Sequence, residues 1–127
     1  MSAAALPPTT AVEIVIQNVR NQRGRVHVEL CRREEFLKDC PLSGSAPARA
    51  GTVTVRIANV PPGLYAAQAF HDENDNNKVD RGLFGIPKEG VGFSNDAKIK
   101  FGPPKFQEAA FDHGVVRQQI SFSLRYF

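Results

Sequence analysis

Val12-Glu13-Ile14-Val15-Ile16-Gln17-Asn18-Val19, followed after the polar turn Asn21-Gln22-Arg23-Gly24 by Arg25-Val26-His27-Val28-Glu29-Leu30-Cys31, decides the fold class of this chain. Apolar residues recur at every second position, which places them on one face of an extended strand and their neighbours on the other. Two such runs joined by a short turn predict an antiparallel hairpin. His27 falls on the polar face, where it is expected to meet solvent.

Outward from this pair the same period returns. Thr52 to Ile57 sets Val53, Val55 and Ile57 on one side, and Gln118 to Tyr126 does the same with Ile120, Phe122, Leu124 and Tyr126. Pro61-Pro62-Gly63 predicts a type II turn, with Gly63 at the position of positive φ. Leu64 to Phe70, mostly apolar, reads as a central strand. Arg32 to Asp39 reads as a single helical turn and Pro41 to Gly51, rich in Pro, Ser, Ala and Gly, as loop. Several strands with Gly and Pro turns and no long helical pattern predict an all-β fold, an antiparallel β-sandwich. Arg81 to Phe111 breaks the pattern with many Gly and Pro but also with Phe84, Ile86, Phe93, Phe101, Phe106 and Phe111, so a long ordered loop excursion between the later strands is expected. Within it, Lys98 to Phe101 reads as a short strand and Pro103 to Ala110 as a short helix.

A chain of 127 residues suits one domain, here 11–127, behind a disordered N-terminal stretch at 1–10. No apolar run approaches the ~20 residues of a membrane-spanning helix. The formal charge of +3 and the scattered Lys and Arg speak against nucleic-acid binding. Met1 to Thr10 lacks the charged and apolar regions of an intact signal peptide, and reads either as what is left after one is removed or as a disordered tail. Cys31 and Cys40 enclose eight residues. In an oxidising compartment they would form a disulfide contributing about 2–3 kcal/mol, and in a reducing one they would stay free thiols.

The run His71-Asp72-Glu73-Asn74-Asp75-Asn76-Asn77-Lys78-Val79-Asp80 carries side-chain oxygens at Asp72, Asn74, Asn76 and Asp80. That spacing wraps a hard cation, so Ca²⁺ is the expected cofactor, held by those four side chains and the Lys78 carbonyl; the alternative is an Asx-turn loop that satisfies its own backbone without metal. Asn77 stands where the helix-loop-helix calcium loop has Gly, and Leu83 where it has a bidentate Glu. The expected site is therefore structural and weak, with Kd of ~10⁻⁴–10⁻³ M.

Linked motifs carry a resemblance. His71-Asp72-Glu73-Asn74-x-Asn76 with Asp80, Gly85-Ile86-Pro87-Lys88-Glu89-Gly90-x-Gly92-Phe93-Ser94-Asn95, and Phe101-Gly102-Pro103-Pro104-x-Phe106-x-x-Ala109 resemble, in this order, a bacterial exported family catalogued only as a domain of unknown function. Val60-Pro61-Pro62-Gly63-Leu64-Tyr65 fits it too. The resemblance implies a prealbumin-like or immunoglobulin-like sandwich and a periplasmic or secreted location, and implies no activity. Val91 stands where the family usually has an aromatic residue.

The expected function is a non-enzymatic binding or accessory module for an unknown protein or carbohydrate. Its ligand surface would draw on His71, Phe84, Pro87, Lys88, Glu89, Phe93, Ser94 and Asn95. The alternatives are a hydrolase-like enzyme using His71 with Glu89 and Asp96, and a purely structural interaction domain.

Overall fold

The computed structural model describes residues 9–74, 89–99 and 102–126. Two sheets pack face to face as an antiparallel-rich sandwich. The smaller has the order β4-β1-β8, built from Gly51–Val60 (β4), Thr10–Val19 (β1) and Gln118–Ser123 (β8). The larger has the order β3-β2-β5-β6, from Leu42–Pro47 (β3), Arg25–Cys31 (β2), Gly63–Asp72 (β5) and Val91–Phe93 (β6), with Ala110–His113 (β7) also on β5. β1 pairs antiparallel with β4 and parallel with β8, so the first and last strands lie side by side.

The predicted alternation sets the core. Val12, Ile14 and Ile16 of β1, Val26, Val28 and Leu30 of β2, Val53, Val55 and Ile57 of β4, and Phe122 of β8 all turn into the space between the sheets, joined by Tyr65, Ala67 and Ala69 of β5. What alternation does not set is partnership. β1 and β2 do not form a hairpin: β4 and β8 occupy both edges of β1, and residues 20–24 carry the chain across to the other sheet, where β2 pairs with β3 and β5. Both strands still bury their apolar rows, because both rows face the same interior from opposite sides.

Leu42–Pro47 is a strand and not the predicted loop. Its sequence lacks β-branched residues, and its extended form is imposed by the ladder with β2, which runs from Leu30↔Leu42 to Arg25↔Pro47. Gly63 opens β5 at φ 159, close to fully extended, so Pro61-Pro62-Gly63 does not make the predicted type II turn. β5 is central as predicted, with β2 on one side and β7 and β6 in tandem on the other.

A second apolar cluster lies on the outer face of the larger sheet. Ala66 of β5 is fully buried there beneath Phe36, Phe93, Phe106 and Ala109, and the ring of Phe36 meets Phe93 and Phe106 edge-on, each at 5.8 Å. The described part of the excursion supplies this cover through β6, a 3-10 turn at Ser94–Asp96 and the short helix Phe106–Ala109 (α1). Residues 98 and 99 form no strand, and 100–101 lie outside the described residues.

Cys31 and Cys40 are joined by a disulfide with Cα atoms 5.3 Å apart, closing a loop that carries a 3-10 turn at Arg33–Glu35. Both sulfurs sit in the second cluster. Replacing both cysteines by Ala should lower stability by about 2–3 kcal/mol, measured by urea unfolding. An unchanged midpoint would show that packing alone holds the loop.

Candidate functional site

The end of β5 is a polar knot. His71 points inward and is fully buried. Its Nε2–H donates to the carbonyl of Arg23 at 2.7 Å, and its Nδ1 accepts from the Tyr126 hydroxyl at 2.9 Å, the tautomer being set by a carbonyl that can only accept. The Tyr126 oxygen also accepts from the backbone N–H of Arg20 at 2.9 Å. The Arg20 guanidinium lies 4.5 Å above the Tyr126 ring and grips Glu73 with two bonds of 2.8 and 2.6 Å. Asn21 donates to the same carboxylate at 2.7 Å. Glu89, itself buried, accepts from the amide of Glu73 at 2.9 Å, and Gly90 accepts from the amide of His71 at 2.8 Å.

Two glycines make this packing feasible. Gly24 has φ 68, and a Cβ there would stand 1.9 Å from the Asp72 carbonyl oxygen; a Cβ on Gly90 would stand 2.5 Å from the Tyr126 ring. Burial pushes the Tyr126 hydroxyl above its ordinary pKa. The bond from Arg20 holds the Glu73 carboxyl far below the usual carboxylate range, at about 2, with Asn21 assisting and burial opposing.

The other face of β5 is open. A groove of about 670 Å³ crosses the outer face of the larger sheet, floored by His27, Glu29, Gln68 and Phe70 and walled by Leu37 to Asp39 of the disulfide loop, by Ser43 to Ser45 of β3 and by Val91 and Phe93. His27 stacks on Phe70 with ring centres 5.0 Å apart, and its Nε2–H donates at 3.2 Å to the carboxylate of Asp72, which is fully buried. Two contacts thus fix the imidazole. Its Nδ1 has no partner among the described residues, and none of their buried side-chain nitrogens or oxygens is left unpartnered, so this nitrogen reaches solvent in the groove. Gln68 and Glu29 brace the wall: Gln68 donates to Glu29 at 2.8 Å and to the Lys38 carbonyl at 3.1 Å, and accepts from the amide of Leu37 at 3.0 Å.

The motifs that suggested a bacterial family are carried by this geometry: His71, Glu89 and Gly90 in the knot, and Phe93, Ser94, Phe106 and Ala109 in the outer cluster. The model of the family described as an uncharacterised protein conserved in bacteria, domain of unknown function 2141, matches residues 14–121. The chain belongs to that family. Neither a curated protein nor a solved structure matches it.

In this member of domain of unknown function 2141, the described residues among those expected to form a ligand surface have structural partners. Besides His71 and Glu89, Phe93 is packed in the outer cluster, and the Ser94 hydroxyl donates to the Ala109 carbonyl and accepts from the amide of Ala67 at 2.9 Å. Asn95 is exposed, yet its amide donates to the Ala110 carbonyl at 2.9 Å. Phe84, Pro87 and Lys88 lie outside the described residues. Of the alternative enzyme trio, His71 bonds Tyr126 and Arg23, Glu89 accepts from the Glu73 amide, and Asp96 accepts from the amide of Ser123 at 2.8 Å.

Of the expected calcium ligands, Asn76, Lys78 and Asp80 lie outside the described residues, Asn74 is exposed, and Asp72 holds His27. Glu29, Cys31 and Cys40 come close enough to suggest a metal group, but the two sulfurs are bonded to each other and cannot serve as thiolates. The pairing of His27 with Asp72, 45 residues apart, had no signal in sequence spacing; only the β2–β5 register, Arg25↔Asp72 and His27↔Phe70, brings them together.

Glu73 makes the knot sensitive to acid. Its pKa is depressed in the folded state, so its stabilisation is complete above the ordinary carboxylate value and is lost as pH falls from 4.5 towards about 2. Arg20 is 45% exposed, which keeps the pair near the surface range. Glu73→Gln should therefore lose about 1 kcal/mol at pH 7 and flatten the stability–pH curve across that window. Parallel curves for mutant and parent would refute the assignment.

Proposed function

We propose that this protein is an exported, non-enzymatic binding module whose ligand occupies the groove over His27, Gln68 and Phe70. One observation carries the reading: a fully buried carboxylate, Asp72, spends a hydrogen bond on orienting an imidazole whose other nitrogen opens into the groove. Burying a carboxylate is costly, and an oriented second nitrogen is what recognition of a hydroxyl or amide N–H needs. The groove floor mixes apolar and polar side chains, which suits a neutral polar ligand such as a sugar or a peptide segment. A histidine held by a carboxylate also serves as a general base. The hydroxyls lining the groove favour binding over catalysis, because neither Ser43 nor Ser45 is bonded to His27, and Ser45 accepts from Arg25 at 3.2 Å. The disulfide supports a location outside the cytoplasm.

Amide chemical-shift mapping with a library of neutral hydroxyl- and amide-bearing fragments tests this reading. Shifts should cluster on His27, Gln68 and Phe70, and His27→Ala should weaken the hits by about tenfold or more, the worth of one good hydrogen bond. Hits that map elsewhere, or that ignore the substitution, would exclude the groove as the site.

Calcium binding at Asp72, Asn74, Asn76, Lys78 and Asp80 is a second part of the proposal. It is supported by the rigid footing of the loop's first residues on the knotted end of β5. For a Kd of ~1 mM, 10 mM calcium should raise Tm by about 3–6 °C over chelator. Equal melting temperatures would remove the metal.

A further inference from the structure

Glu29, Cys31 and Cys40 converge on the outer face of the larger sheet. Alternation along β2 sets Glu29 and Cys31, two residues apart, on that face, one lining the groove and the other in the outer cluster. The disulfide loop returns Cys40 to them. A carboxylate oxygen of Glu29 and the two sulfurs all lie within 4.8 Å of one another. Two of the three donors stand on β2, which is paired with both β3 and β5, so their placement does not depend on the loop.

Neutral groups aim the carboxylate. Gln68 Nε2–H donates to Glu29 Oε1 at 2.8 Å and the Cys40 backbone N–H donates to Oε2 at 3.3 Å, while no Lys, Arg or His forms an ion pair with it among the described residues. Gln68 is fixed in turn by the Leu37 amide and the Lys38 carbonyl. A carboxylate oriented by an amide that is itself held, and carrying no counter-charge, has the kind of support that metal-ligating carboxylates have.

We infer that, once its disulfide is reduced, this chain binds one zinc ion through the Cys31 and Cys40 thiolates and the Glu29 carboxylate. A phosphine supplies the electrons: the S–S bond breaks, phosphorus is oxidised to the phosphine oxide with the oxygen of one water, and the two protons of that water leave both sulfurs as thiols. Each thiol gives up its proton when the metal binds. Thiolates select zinc over calcium or magnesium, and zinc neutralises two of the three negative charges the set brings together. Three protein ligands leave one tetrahedral position, which water from the groove fills beside Glu29. The ion ties the same two points of the chain that the disulfide ties. Leu37 to Asp39 therefore keep their place as a wall of the groove in a reducing compartment as well as in an oxidising one.

Titration with zinc against a chromophoric chelator tests this, using oxidised protein beside protein reduced with the phosphine and freed of it without oxygen. The reduced chain should take up one more zinc than the oxidised chain, and its melting temperature should rise with zinc concentration. Cobalt in place of zinc should give the charge-transfer absorption of thiolate ligands in the reduced protein alone. Glu29→Gln, which keeps the shape of the side chain and removes its charge, should weaken zinc binding by the reduced chain at least about tenfold. Equal uptake by the two forms overturns the inference, because the cysteines are then not ligands. So does an affinity that Glu29→Gln leaves unchanged, since a cysteine pair in an unfolded chain would bind as well.

Discussion

Burial of β5 on both faces is the constraint on which the rest of the molecule depends. On its inner side Tyr65, Ala67 and Ala69 join the sandwich core, and on its outer side Ala66 lies under the aromatic cluster of Phe36, Phe93 and Phe106. A strand covered on both faces cannot show a simple polar alternation, and its side chains must be small where two layers press on it. The three alanines from 66 to 69 meet that need. Covering the outer side requires material from outside the sheet, which the disulfide loop and the later excursion provide. The cover reaches only part of the way along β5, and the groove begins at Gln68, where it stops.

The last residues of β5 then resolve two opposite demands. His71 turns inward and needs hydrogen-bond partners in a dry place; the Arg23 carbonyl and the Tyr126 hydroxyl supply them. Asp72 turns outward but is still fully buried, and it spends one bond on His27. Neighbouring residues thus build two kinds of polar site. The inner one ties the crossover at 20–24, the C-terminal segment and residues 89–90 to a single strand end, and its donors and acceptors are used up. The outer one leaves an imidazole nitrogen facing solvent. This contrast is why the proposed ligand site is put on the outer face and not in the inner knot.

Much of the fold is legible in residue order, because alternation is a local property. Val12 to Ile16, Val26 to Leu30, Val53 to Ile57 and Phe122 announce which face they bury, and all of them bury it. The hairpin between β1 and β2 is misread for the same reason: facing is local, but partnership depends on which edges distant strands have already filled. β3 is missed because its serines, glycine and alanine have little strand preference of their own. At the site, His71 and Asp72 stand out in the sequence as an adjacent acid–base pair, yet the structure separates them to opposite faces, as successive residues of any strand must be. The histidine that does meet Asp72 is His27, whose local pattern reads only as a solvated strand position.

By itself, then, the order of amino acids determined an all-β sandwich, the identity of its core faces, a cysteine pair at bridging distance along the chain and membership of a bacterial family. Tertiary structure decided which strands became neighbours, and with that which polar groups met. The physical reason is range. Side-chain periodicity and turn chemistry act over a few residues, whereas the His27–Asp72 bond and the knot around Tyr126 arise from contacts between segments tens of residues apart.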